Sequence, residues 1–250
     1  MISKPFPSSR SHLVHPRRAT LLAVSLTGLL ALPLALPLPA FGTAAAATPP
    51  PEVLAAAETG LAPLLSAVSE RDLPLFGFDD PADLASVALG DPLPVGLLEP
   101  DVVLGPAAAV ALSEAISPLP RWLFPVQSHG RWRVLLTVAH FQGRWQAVDL
   151  GGAALATQLQ RIHEGLAAAH RPEAFVVRSL QAGCVFLADP LAGNGRLLPL
   201  PGTARVLGLS VRPTDRPHEL GLADAVRRLA PLVRHNLAMH GSSPERGGER

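Results

Sequence analysis

The sequence predicts an α+β domain: a curved antiparallel β-sheet with helices packed on one face, preceded by N-terminal helices. Three observations carry that reading. RWLFPVQ, RWRVLLTVAH and RWQAVDL are strand-like runs joined by SHG and FQG, glycine-bearing links of hairpin length. Directly after them, GGAALATQLQRIHEGLAAAH sets Leu155, Leu159, Ile162 and Leu166 four, three and four residues apart, one apolar stripe on a helix. A second hairpin pattern follows, with FVVRSL and CVFLADP flanking the turn QAG.

With 250 residues and 48% apolar content, the chain has enough material for a buried core. The expected organisation is a signal peptide over 1–47, an N-terminal helical segment over 48–90, an α+β domain over 91–240 and a disordered tail over 241–250. The leader rests on Arg17 and Arg18, an uncharged run from there to Glu52, and the small-x-small pairs Ala44/Ala46 and Ala45/Ala47, which suit cleavage near Ala46 or Ala47. Pro33, Pro37 and Pro39 argue against a retained membrane helix, because each removes a backbone hydrogen bond that lipid cannot replace. The paired arginines also match a twin-arginine signal loosely. The expected location is therefore periplasmic or secreted, with membrane attachment only if the leader stays uncleaved.

Of the 21 basic residues, Lys4, Arg10, Arg17 and Arg18 precede residue 48 and no acid does; this leaves 17 against 20 acidic, a formal net of −3. A weakly acidic domain lacks the clustered cations that nucleic-acid binding requires, so no nucleic-acid partner is expected. One cysteine excludes an internal disulfide and any CxxC site.

In chain order, Leu54, Ala57, Leu61, Leu64 and Val68 predict a helix from about 52 to 69, in spite of Gly60 and Pro63. Asp80 before Pro81, with Gly90 beyond a short apolar run, predicts a brief second helix. LPVGLLEP reads as a short strand, and 101–120 as irregular with a helical turn. If Ser128 to Gly130 form one turn and Gln142 with Gly143 the next, Val126 faces Trp132 and His140 faces Trp145. Alternation then puts Trp122, Phe124, Val126, Trp132, Val134, Leu136, Val138, Trp145 and Ala147 on one face, with Gln127, Arg131, Arg133, Thr137, Arg144 and Gln146 mainly on the other. The tryptophans are thus expected in the core, under the helix that follows. RLLPLPG and RVLGLSV read as shorter strands. A last helix carries Leu222, Val226, Leu229, Val233 and Leu237, with Pro231 expected to kink or split it.

Chemistry is sparse. Cys184 could serve as a nucleophile only with a histidine base and an orienting acid; the hydrolase alternative assigns those parts to His140 and Asp189. The hairpin resembles that of papain-like bacteriocin-processing peptidases, in which a His-Phe-Val-Val strand leads to a second strand ending in Asp-Pro. Only Asp189 and Pro190 agree with it, Ala174 stands in the histidine's place, and no upstream cysteine exists. Cys184 shares alternation with Phe186 and Ala188, so a buried packing role is expected. His163, His170, His235 and His240 have no metal-ligand spacing and are expected on solvated helix faces; no metal and no cofactor is expected. Arg131, Arg133 and Arg144, placed together on the polar sheet face, are the expected binding surface for an anionic ligand or an envelope protein.

LGDPLPV (89–95), WLFPV (122–126), LLTV (135–138), GRWQAVDLGGAALATQL (143–159) and RSLQAGCVF (178–186) together resemble a family of exported bacterial proteins of unknown function. Its pattern runs LGxP, W-x-FPV, G-x-W-x-A-V and R-x-x-Q-A. The resemblance implies an architecture and export, and no catalytic residue. The functional expectation is an exported, non-catalytic binding or accessory domain.

Overall fold

A computed structural model describes residues 48–106, 111–211 and 216–241. The expected leader, and the expected tail beyond Gly241, lie outside the described residues. Within the described chain the α+β class is as expected: a curved, unclosed and mostly antiparallel sheet with helices against it.

The chain enters through α1 (Pro51–Ser66), which has Pro51 at its first helical position, where the missing N–H costs nothing. Two 3-10 turns follow, Glu70–Phe76 and Pro81–Ser86; the second is capped by Asp80, whose carboxylate accepts from the Ala82 N–H at 2.7 Å. Then come β1 (Ala88–Leu89), β2 (Leu93–Leu98), α2 (Pro100–Leu104) and α3 (Leu112–Ala115). The meander is β3 (Ile116–Ser128), β4 (Arg131–Phe141) and β5 (Arg144–Gly151), followed by α4 (Ala153–Gly165) and a 3-10 turn over Ala168–Glu173. The chain continues with β6 (Phe175–Ser179), β7 (Cys184–Asp189), β8 (Arg196–Pro199), α5 (Pro201–Val206) and α6 (Leu222–Gly241).

The sheet order is β5-β4-β3-β2-β6-β7-β8, with β1 on β3. Every pairing is antiparallel except β2 with β6, joined at Val95↔Val176 and Leu97↔Arg178. Both meander turns are two-residue links in which His129 and Gly130, then Gln142 and Gly143, all adopt positive φ. That is the type I′ geometry, whose twist suits a hairpin.

Two register slips rearrange the expected faces. His140 does face Trp145, but Val126 pairs with Val134 and Gln127 with Trp132, which leaves Arg133 as an extra residue in β4. The bulge turns Trp132 to the face opposite Trp122 and turns Arg133 inward with Val134. Trp132 now packs near His163 of α4, ring centroids 5.3 Å apart, while Trp122 is buried with Phe124, Val126, Leu136 and Val138. A second bulge at Val148 bends the edge strand β5.

Helices cover both faces, which corrects the expectation that α4 and α6 share one. Along β7, Cys184, Phe186 and Ala188 meet Leu229 and Val233 of α6, whereas Leu187 meets Leu159 and Ile162 of α4. The tryptophan-122 face is closed by Val53 and Ala57 of α1, not by α4. Each fully buried Phe or Leu in these layers contributes roughly 1.5–3 kcal/mol. The final helix is unbroken through Pro231, and the expected strand RVLGLSV is absent: Arg205 and Val206 lie in α5, which Pro201 opens.

Candidate functional site: a cationic cleft between two helices

The residues singled out from sequence do not converge. Cys184 is 1% exposed in the α6-side core, its thiol donating to the Ala182 carbonyl at 3.4 Å. Burial pushes the thiol up to about 11, an effect only partly offset by the Thr203 hydroxyl beside it. His140 stacks edge-on against Trp145 at the far end of β4. Three strands separate β4 from β7, so the two lie roughly 19 Å apart across the sheet.

Asp189 has taken other partners. Its carboxylate is fully buried, with His170 Nδ1 at 2.9 Å, Arg196 Nε at 3.0 Å and the Leu191 N–H at 3.2 Å. Arg196 in turn reaches Glu219 at 2.6 Å. A buried carboxylate satisfied on all sides ties the end of β7 to the start of β8 and to the 3-10 turn after α4; it orients no nucleophile.

The three arginines expected to form one surface are dispersed. Arg131 and Arg144 are exposed at opposite ends of β4's two hairpins, roughly 30 Å apart along the strand. Arg133 is 7% exposed: Nη1 donates to the Gly77 carbonyl and to Asp79 Oδ2, both at 2.9 Å, and Nη2 lies 3.4 Å from Asp83 Oδ2. It pins the N-terminal turns onto the sheet, because the bulge points it into them. Asp83 is held below the usual carboxylate range, chiefly by the Asp79 N–H, against the cost of burial and with help from Arg133. His163 is likewise buried, not solvated; loss of hydration holds its imidazole below the usual range, against the Arg171 carbonyl that favours its charged form.

Cationic side chains do converge elsewhere. A cavity of about 380 Å³ opens between α4 and α5, lined by Arg161 of α4, Arg205 of α5, and Arg216 and His218 of the segment after it. Gln158 and Ser210 add polar atoms, and Ile162 and Pro199 line the apolar part. Each placement has a local cause. Gln158 and Arg161 are one turn apart on α4, on the side flanking the buried stripe of Leu159 and Ile162. Thr203 fixes α5 against β7 just past the last β7–β8 pair: its hydroxyl accepts from the Val185 N–H at 2.8 Å and donates to the Val185 carbonyl at 2.9 Å. His218 is anchored through Nε2 to the Ser210 carbonyl at 2.6 Å, so that nitrogen donates.

Among the described residues no carboxylate lines this cavity, and none of its arginines has an ion-pair partner. Three guanidinium groups facing one solvent-filled space repel one another and present planar donor arrays that match carboxylate, sulfate or phosphate oxygens. Sequence reasoning passed over them because they come from three elements separated by up to 55 positions; RVLGLSV, read as a strand, hid Arg205. Among the described residues no group of three or more His, Cys, Asp or Glu is placed to hold a metal, and no helix is long and apolar enough to cross a membrane. Comparison with protein-family models, with curated proteins and with solved structures gave no match.

Proposed function

We propose that the protein is an exported, non-catalytic binding domain for an anionic ligand, with the cleft of Arg161, Arg205, Arg216 and His218 as its site. The observation that carries this is the convergence of three unpaired arginines in one cavity free of acid among the described residues. Its volume falls in the range of small-molecule pockets. The signal-like leader, the −3 balance of the remainder and the resemblance to exported bacterial proteins support a role outside the cytoplasm. The cysteine-hydrolase alternative has no geometric support, since Cys184 is packed and its proposed partners are elsewhere.

Titration calorimetry with inorganic phosphate at low ionic strength tests the site. Binding should weaken as salt rises, and the double substitution R161Q/R205Q should lower affinity about tenfold or more, while Cys184→Ala leaves it unchanged. Phosphate heats no larger than those of chloride at matched ionic strength would end the proposal.

A further inference from the structure

A second concave site lies on the α4 face of the sheet, beside the start of that helix, and its chemistry differs from that of the cleft. Its floor is apolar and comes from the middle of the sheet: Val95 of β2, Leu123 of β3 and Val176 of β6, all buried. Leu155 of α4 lines it too, and on β5 the bulged Val148 and Asp149 form part of its rim. The enclosed space is about 250 Å³.

Two arginines stand over this floor. Arg121 lies on β3 beside Val95 and Arg178 on β6 level with Leu97; with β2 between them and about two residues of offset along it, their backbones are roughly 12 Å apart. Both are half-buried, and among the described residues neither has an ion-pair partner. Alternation explains the convergence: Arg121 shares its face with Leu123, and Arg178 with Val176. Their stems lie along the apolar floor while the guanidinium donors, which have no ion-pair partner among the described residues, are left to meet an anion in the space between them. Asp149 on the rim brings the charge of the lining to a net of one, which suits a single negative charge rather than a polyanion.

The geometry points to this trough as a binding site for a small monocarboxylate with an apolar body, its carboxylate held between Arg121 and Arg178 and its hydrocarbon on Val95, Leu123 and Val176. The test is calorimetric titration of the full chain with 4-methylpentanoate, 4-methylpentanol and inorganic phosphate. The acid should bind, the alcohol at least about tenfold more weakly, and phosphate should not compete with the acid. Arg121→Gln and Arg178→Gln should each cut affinity for the acid about tenfold or more. Val148→Trp, at an exposed rim position away from the core, should block binding while leaving the melting temperature unchanged. R161Q/R205Q should leave binding of the acid intact, which separates this site from the cleft. Absence of binding by the native chain, equal affinity for acid and alcohol, or full affinity in either arginine variant or in Val148→Trp would overturn the assignment.

Discussion

Cys184 shows how a residue's chemistry is decided by its surroundings. Exposed, it would be a thiol of ordinary acidity. At 1% exposure, with its acid–base range moved up to about 11, only about one molecule in ten thousand would carry the thiolate at pH 7. Labelling of the native protein by a thiol-reactive reagent should therefore be slow and become rapid only in denaturant; fast native labelling would contradict the packed placement. Asp189 and Arg133 make the same point from the opposite direction. Each reads in the sequence as available for function, and each is consumed by structural partners in the fold. Burial of Cys184 was legible from its alternation with Phe186 and Ala188. The His170 partnership of Asp189 was not, because it joins positions 19 residues apart through a 3-10 turn that has no periodic signature.

At the scale of elements, Gly60 illustrates a helix shaped by what it packs on. Within α1 it is a poor helix former, yet a Cβ built there would sit 2.2 Å from the Ala147 Cβ of β5. Gly60→Ala gains about 1 kcal/mol of helix propensity and loses more than that by pushing α1 off the sheet. A lower melting temperature for this variant is expected, and a rise would mean that the helix is not held against β5. The sequence located the meander and its turns because glycine placement and alternation are local signals. It misjudged the faces because a bulge has no local signature: one extra residue at Arg133 sent Trp132 to the other side, and the same step built the anchor for the N-terminal turns. The strand expected in RVLGLSV failed for a related reason. Its apolar spacing fits either a strand or a short helix, and Pro201 with Thr203 decided for the helix.

Across the whole molecule, the sheet is a wall between two helical layers, and its acid sensitivity follows from what those layers bury. His163 has its folded-state range depressed by lost hydration, so the unfolded chain binds the extra proton first. Stability should be full above about pH 6.5 and fall as pH drops below it, and His163→Gln should flatten that slope in thermal melts at pH 7 and 5.5; an unchanged slope would assign the loss to another group. Asp83, held below the ordinary carboxylate value by the Asp79 N–H and Arg133, adds a further loss only below about pH 4, as its proton returns. By itself the sequence determined the fold class, the hairpins, the helical stripes and the packing fate of Cys184, because periodicity and turn chemistry act over a few residues. Which face each helix covers, which arginines are spent as anchors and which converge on open cavities was decided by the tertiary structure. Strand order and bulges bring together side chains from distant positions, and no local pattern encodes that meeting.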